Sequence, residues 1–324
     1  MESLLAKRMS RERIPTPPGE QSPPRRESPR SPPPVPAPPA TPEEAAARRG
    51  ARAQKDAQVR GVTSIQEMRE AIKARARMLP QIDAVPRLGK LDAAAFRARA
   101  ALGLPFLTRG PVERWPLFAL TPQFLRERFA HLRVRARVGD YINTAFAPDR
   151  AMQDMAMLEY LDLVEAGEQD LPPYLGNLEL RELNRLCHWP AYFDKMGPPR
   201  FWLGPAGTVT PLHCDYDDNV FAQVWGTKRI LLSPPHHDEF LYPREANAIL
   251  FGSPFDPEAP DFDKFPLARQ ATMIDCIVSP GDMLYVPAGW YHQVRALTFS
   301  LSSNRWARAL PLALASGTAI GSLP

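Results

Sequence analysis

The stretch GTVTPLHCD, from Gly207 to Asp215, decides the fold that we predict for this chain. We interpret it as a β-strand, on which every second side chain points to the same face. His213 and Asp215 can therefore reach one metal ion, while Cys214 points away from it. Two ligands on one short strand indicate a metal site that needs a third ligand from elsewhere in the chain.

The best candidate for the third ligand is His292, which follows a turn in the segment PAGWYH. Two histidines and one carboxylate on one face leave coordination positions open, as in the facial triad of non-heme Fe(II) oxygenases. Taken alone the pattern is weak, since a histidine two residues before an aspartate occurs easily by chance. Without a metal, His213 would be a turn histidine and His292 a core histidine bonded to a backbone carbonyl.

Short segments with strand character surround these residues, from about residue 200 to 306. Turns containing glycine, proline and aspartate separate them, and this spacing predicts a sandwich or barrel. Before them, a helix is predicted from the capping box at residues 64–67, and an amphipathic helix over Met152 to Glu165. The segment 243–265, rich in proline, aspartate and phenylalanine, is expected to cross one mouth of the barrel.

The excess of proline and of positive charge is confined to the N-terminal region of the 324-residue chain. Of 38 prolines, thirteen fall between Pro15 and Pro42. Residues 1–60 carry 12 Lys/Arg and 7 Asp/Glu of the 40 and 36 in the chain, which leaves a nearly neutral remainder of 28 and 29. We predict a disordered tail at 1–60 that serves as a spacer or contacts Pro-recognising or acidic partners. The remainder gives no electrostatic reason to expect nucleic acid.

The cysteine count and the hydropathy of the sequence indicate the cellular compartment in which the protein is expected. The three cysteines, Cys187, Cys214 and Cys276, are an odd number without paired spacing, which is typical of a reducing environment. No run of about 18 apolar residues predicts a membrane helix, and no secretory signal is apparent. The expectation is an intracellular protein, cytoplasmic or nuclear, without membrane contact.

Several stretches, in order, resemble the cupin-like/JmjC family of 2-oxoglutarate oxygenases, and most of all the branch containing the factor-inhibiting-HIF asparaginyl hydroxylase. They are GTVTPLHCD (207–215), NVFAQVWGTKR (219–229), SPGDMLYVP (279–287), WYH (290–292) and the earlier LTRG (107–110). The resemblance implies a mainly β chain with an α/β N-terminal part and a double-stranded β-helix (cupin/jelly-roll) core flanked by helices. It also implies one oxygenase domain over 61–324, with a helical part at 61–170 and a barrel core at about 171–306.

The resemblance implies roles for eight residues. The ligands of Fe(II) would be His213, Asp215 and His292. The residues that contact 2-oxoglutarate or order the surroundings of the metal would be Lys228, Thr210, Tyr174, Asn219 and Asn304. Lys228 would bind the distal carboxylate, although a lysine lying along the surface is the structural alternative, as a core tyrosine is for Tyr174. The residues His236, His237 and Asp238, which the family places on a loop, are interpreted as solvated.

The reaction that the resemblance implies is hydroxylation of a peptide or protein side chain with dioxygen, releasing succinate and CO2, with ascorbate as reductant. Three alternatives stay open: an oxygenase acting on a modified nucleobase or small molecule, a catalytically silent cupin-like binding module, and a metal cupin that does not use 2-oxoglutarate. Retention of the three ligands together with Lys228 favours an active enzyme. Lys228 with Thr210 favours the use of 2-oxoglutarate.

Overall fold

The computed structural model describes residues 65–147, 149–167, 170–247 and 249–308. The predicted tail lies outside these residues, and the predicted domain boundaries stay predictions. Within them the strands are β1 (Phe106–Arg109), β2 (Arg133–Arg137), β3 (Met152–Ala156), β4 (Leu175–Leu178), β5 (Arg200–Gly204), β6 (Val209–Asp215), β7 (Asp217–Trp225), β8 (Lys228–Ser233), β9 (Arg244–Asn247), β10 (Leu250–Gly252), β11 (Ile274–Val278), β12 (Asp282–Val286), β13 (Tyr291–Ala296) and β14 (Ser300–Arg308).

The strands form two six-stranded antiparallel sheets and a hairpin. The first sheet has the order β1-β12-β7-β14-β5-β4, the second has the order β11-β8-β13-β6-β10-β9, and the hairpin pairs β2 with β3. Strands close in sequence are often distant in the sheets, as in a jelly roll. The predicted cupin/jelly-roll fold is confirmed. The segment expected to cross the barrel mouth contributes β9 and β10, which extend the second sheet beside β6.

The helices in the described residues are α1 (Ile65–Arg77), α2 (Ala93–Ala100), α3 (Gln123–Phe129), α4 (Met157–Ala166) and α5 (Arg181–Asn184). Local signals fix some of their ends. The side chain of Asp92 accepts a hydrogen bond from the Ala95 N–H at 2.8 Å and so caps α2. None of these described helices is both long and apolar enough to cross a membrane.

The helix predicted over Met152 to Glu165 is wrong in its first third. Met152–Ala156 is strand β3, antiparallel to β2 from the pair Arg137–Met152 to the pair Arg133–Ala156. Cross-strand pairing with a partner distant in sequence overrides the helical periodicity here. The helix begins at Met157, where the side chain of Glu159 accepts a hydrogen bond from the Ala156 N–H at 2.7 Å.

Three apolar clusters lie between the layers. Because side chains alternate along a strand, neighbouring apolar residues of one strand belong to different clusters. On β7, Val220 and Ala222 pack with the helices against the outer face of the first sheet. Phe221 belongs to the cluster between the two sheets. On β6, Leu212 and Cys214 pack with α1 on the outer face of the second sheet. The space left between the sheets, near the middle of β6, holds the polar residues described below.

The turn after β8 contains Asp238, and its interpretation as solvated is wrong. The Asp238 side chain is only 5% exposed. It accepts hydrogen bonds from Arg69 at 2.9 Å, from Lys73 at 3.3 Å and from the Tyr291 hydroxyl at 2.7 Å. Arg69 and Lys73 lie on α1, and Tyr291 begins β13. Asp238 therefore ties α1 to the strand that continues into His292.

Replacing Asp238 with alanine is expected to lower the free energy of unfolding by roughly 3 kcal/mol, because the cations of Arg69 and Lys73 lose their shared buried partner. Urea titration followed by circular dichroism measures the change. Asp154→Ala is the matched control, since Asp154 is 67% exposed and only 3.7 Å from Arg135, a pair of the kind that contributes little. Equal effects of the two substitutions would contradict the structural role given to Asp238.

Candidate active site

His213, Asp215 and His292 lie together between the two sheets. His213 on β6 is directly opposite His292 on β13 in the strand register, and their ring centroids are 4.2 Å apart. Each of the three residues offers one ligand atom, and these atoms lie within 4.8 Å of one another. One ion can therefore reach all three. Across the described ranges, no other group of three such residues meets this criterion.

Backbone carbonyls orient both histidines. Nδ1 of His213 is 2.8 Å from the Pro211 carbonyl oxygen, and Nδ1 of His292 is 3.0 Å from the Trp290 carbonyl oxygen. A carbonyl oxygen can only accept, so each Nδ1 must carry the hydrogen. Each Nε2 then keeps a free lone pair, which is the form of imidazole that binds a metal. His292 does bond to a backbone carbonyl, as expected for a core histidine. Because this bond uses Nδ1, it leaves Nε2 available for a metal ion.

The charge state of the three residues favours metal binding near neutral pH. Burial, followed by the nearby charge of Asp217, raises the pKa of Asp215 to about 7. Burial lowers the pKa of His292 to about 4, and burial together with His292 lowers the pKa of His213 well below its usual value. Both rings are therefore neutral at pH 7. A cation placed among them would favour the ionised form of Asp215.

An irregularity in β6 places Thr210 on the same face as the metal-binding residues. Simple alternation from His213 would point residue 210 to the opposite face. In the structure, His292 pairs with His213 while Val294 pairs with Thr210, so β6 has one more residue than β13 over this span. Pro211, which has no N–H for the ladder, lies in this bulge. The Thr210 hydroxyl then donates to the hydroxyl of Tyr174 at 3.3 Å.

Lys228, the first residue of β8, is buried in the same cavity with 1% of its surface exposed. Its ammonium donates to the Ser302 hydroxyl at 2.8 Å and lies 5.4 Å from the centre of the Phe221 ring. Burial lowers its pKa to about 7. No carboxylate in the described part of the chain forms an ion pair with Lys228. An anion bound beside this inward-facing lysine would favour its charged form.

The two predicted asparagines meet on neighbouring strands of the first sheet. The Asn304 amide donates to the Asn219 side-chain oxygen at 2.9 Å. The side-chain oxygen of Asn304 is buried without a partner. Both residues line the cavity together with the other six residues of the predicted site, Tyr174, Thr210, His213, Asp215, Lys228 and His292. The structure thus brings all eight together.

Several residues of the site were not predicted from the sequence, and strand periodicity could have indicated two of them. Ser302 and Trp306 flank Asn304 at spacing two on β14 and so share its face. The Trp306 indole N–H donates to one oxygen of Asp215 at 3.3 Å, which leaves the other oxygen for a metal ion. Phe146, whose ring centroid is 5.2 Å from that of His213, gave no local signal, because it comes from the loop between β2 and β3.

Comparison with known proteins agrees with this geometry. The sequence model of the family described as "Cupin-like domain" matches residues 92–311. The chain is 46% identical over 105 residues to the Arabidopsis thaliana protein named Lysine-specific demethylase JMJ30, covering 32% of this chain and 24% of that protein. It is 28% identical over 248 residues to Jumonji C domain-containing protein 5 of Drosophila melanogaster, covering 70% of this chain and 59% of that protein.

A third relative is the human protein named Bifunctional peptidase and (3S)-lysyl hydroxylase JMJD7. It is 31% identical over 161 residues, which cover 42% of this chain and 49% of that protein. The matched part of the chain spans less than two thirds of each of these three relatives.

Trp306→Phe is expected to weaken metal binding by about tenfold, because Asp215 loses the hydrogen bond that orients it. The dissociation constant for Mn(II), measured by calorimetry on the purified protein, tests this without any turnover. Trp202→Phe is the matched control, since the Trp202 ring lies 5.4 Å from that of Trp306 on the same wall. Unchanged Mn(II) affinity in the Trp306 variant would show that the bond to Asp215 does not position the ligand.

Metal binding is also expected to weaken as the pH is lowered from 8 to 6. Below about pH 7 the carboxyl of Asp215 must release a proton before it can bind, while the two histidines are already neutral. The Mn(II) dissociation constant should therefore rise by up to about tenfold per pH unit below pH 7. Asp215→Asn should bind weakly with no pH dependence over this range, and a pH-independent wild-type protein would contradict the assignment.

Proposed function

Because the chain belongs to the cupin-like domain family, we propose that it is an Fe(II)- and 2-oxoglutarate-dependent oxygenase that hydroxylates a peptide or protein side chain. The observation that carries the proposal is the buried, unpaired ammonium of Lys228 in the cavity that also holds His213, Asp215 and His292. A metal site alone is compatible with many functions. A metal site beside a cation that lacks an anion favours an anionic co-substrate that bridges the two.

The residues present fit both groups. Two neutral imidazoles with free Nε2 atoms and one carboxylate are the donor set that non-heme iron uses in oxygenases. The ammonium of Lys228 and the hydroxyls of Thr210 and Tyr174 fit a carboxylate. When bound, Fe(II) with 2-oxoglutarate and dioxygen supplies the oxidising chemistry, with succinate and CO2 as products.

The protein's own residues would bind, orient and exclude water. The Trp306 indole holds Asp215 so that one carboxylate oxygen faces the two histidines. Lys228 fixes one end of the co-substrate, so that its other end is directed towards the metal ligands. Phe221, Leu284, Val286 and Val294 line the cavity between the sheets and keep water away from the reacting groups.

A peptide or protein substrate is supported by two of the relatives, one named a lysine-specific demethylase and the other a (3S)-lysyl hydroxylase. The identity of the substrate residue in this chain is a separate matter, because it depends on the walls of the cavity rather than on the fold. The finer resemblance to the asparaginyl hydroxylase branch stays a prediction, as does the use of ascorbate.

The silent binding module and the metal cupin without 2-oxoglutarate are less well supported. A silent module gains nothing from a lysine whose burial is uncompensated, since an unpaired buried charge costs several kcal/mol. A metal cupin that uses another co-substrate has no evident need for Lys228, Thr210 and Tyr174 in one cavity. Both alternatives give different outcomes in the experiment that follows.

Purified protein supplied with Fe(II) and 2-oxoglutarate alone is expected to form succinate slowly, and Lys228→Ala to reduce this rate at least about tenfold, because the co-substrate loses its charged anchor. Succinate is measured by mass spectrometry. Lys264→Ala is the matched control, since Lys264 is exposed on the surface. If the wild-type protein neither forms succinate nor binds 2-oxoglutarate when metal-loaded, the chain is a binding module and the proposal fails.

A further inference from the structure

A second cation is buried without a partner near the metal-binding residues. Arg137, the last residue of β2, is only 8% exposed. Its Nε and Nη1 atoms are buried and have no hydrogen-bond partner, and no carboxylate in the described ranges forms an ion pair with it. Its guanidinium carbon lies 5.5 Å from the centre of the Tyr174 ring. A buried guanidinium with free N–H groups is costly unless a ligand satisfies it.

Arg137, on the β2–β3 hairpin, lies against a residue that lines the candidate active site. The ring beneath its guanidinium is that of Tyr174, which lines the cavity and bonds to Thr210. After burial and His292, the charge of Arg137 is among the groups that lower the pKa of His213. Phe146, from the loop of the same hairpin, packs on the His213 ring. The unpaired N–H groups therefore lie beside the cavity that holds the metal-binding residues, next to the ring of Tyr174.

A second arginine adds to the positive charge beside Arg137. Arg150 precedes β3 at the other end of the hairpin loop. Burial is the main cause that lowers the pKa of Arg137, and the nearby charge of Arg150 lowers it further. The Nε atom of Arg150 is also buried without a partner, while Nη1 donates to the Ala147 carbonyl at 3.2 Å. Two like charges held together repel each other, and an anion between them would remove that cost.

Two other partly buried arginines in the described residues are paired with carboxylates. Arg69 is 2.9 Å from Asp238, and Arg295 pairs with Glu258. At these two positions the chain supplies a carboxylate for the guanidinium. Arg137 lacks one, as Lys228 does.

The backbone around Arg137 holds its side chain in place. The Arg137 N–H donates to the Tyr174 carbonyl at 2.8 Å, and the Tyr174 N–H donates to the Arg137 carbonyl at 3.0 Å. Gly176 follows on the neighbouring strand, where a Cβ atom would lie 2.9 Å from the guanidinium. The absence of a side chain at residue 176 leaves the space that Arg137 fills. The guanidinium is thus positioned before any ligand binds.

We propose that Arg137, together with Arg150, binds a carboxylate of the peptide substrate, so that the enzyme acts on peptides with an aspartate or glutamate at or beside the modified residue. The inference rests on the proposed function and names its substrate class. Lys228 takes the co-substrate anion and Arg137 takes the substrate anion, so that each unpaired cation receives one partner. Guanidinium and carboxylate match as two parallel hydrogen bonds. A lysine or arginine side chain of a substrate would be repelled by these two arginines.

The first test concerns the protein without substrate. Arg137→Met removes an unpaired charge and keeps most of the side-chain volume, so Tm should stay the same or rise. An arginine with a purely structural role would lower Tm when replaced. Arg135→Met is the matched control, because Arg135 lies on the same strand and is 61% exposed. A fall of several degrees in the Arg137 variant alone would overturn the proposal.

The second test measures binding without turnover. Wild-type protein loaded with Mn(II) and 2-oxoglutarate is titrated with pools of random heptapeptides, acetylated and amidated, each pool with one fixed central residue: Asp, Asn, Glu, Gln or Lys. Binding is followed by the rise in Tm. An acidic pool should bind at least about tenfold more tightly than its amide counterpart, the effect of one charge-assisted interaction. The preference for acidic pools should disappear in Arg137→Met. It should persist unchanged in Arg135→Met and persist in weakened form in Arg137→Lys.

The remaining outcomes separate this inference from the proposed function. Equal binding of acidic and amide pools overturns the role of Arg137, as does an acidic preference that survives Arg137→Met. Weaker 2-oxoglutarate binding in Arg137→Met would assign the arginine to the co-substrate instead. Failure of 2-oxoglutarate to stabilise metal-loaded wild-type protein counts against the oxygenase itself.

Discussion

The register between β6 and β13 is the constraint on which the site depends. It places His213 opposite His292, so that two ligands far apart in sequence meet across one pair of strands. The bulge beside them, at Pro211, supplies the carbonyl that orients His213 and turns Thr210 towards the same cavity. A slip of one residue in this pairing would exchange the inner and outer faces of β6 and bury Leu212 and Cys214 where the ligands now lie.

Buried charges on the two sides of the second sheet differ in whether they have a partner within the chain. Behind the ligands, Asp238 is buried with two cations and a tyrosine hydroxyl, so this network is satisfied within the chain and stabilises the fold. On the cavity side Lys228 is buried without a carboxylate among the described residues, and so is Arg137 beside the cavity-lining Tyr174. Unpaired charge costs folding free energy, and proteins retain it where function requires it. The contrast separates the supporting network from the binding surface.

The hairpin of β2 and β3 shows how a local pattern can mislead. Its second strand carries the spacing of a helix, but β2 offers a pairing partner that the periodicity of residues 152–156 does not reveal. The same hairpin brings Phe146 onto His213 and Arg137 onto Tyr174. The hairpin therefore packs against two residues of the cavity, His213 and Tyr174, while the two sheets hold the metal ligands.

The sequence by itself determined the jelly-roll class and eight of the residues that meet in the cavity. His213 and Asp215 follow from their shared strand face. The fold class and the other positions follow from motifs that resemble a known family. Only the tertiary structure decided which groups complete the cavity and which charges lack a partner. Trp306 could be inferred from its spacing to Asn304, but its bond to Asp215 depends on how β14 approaches β6. That Arg137 has no carboxylate partner among the described residues likewise became apparent only from the tertiary structure. Whether a buried charge has a counterion depends on every segment that packs around it, and those segments lie far apart along the chain.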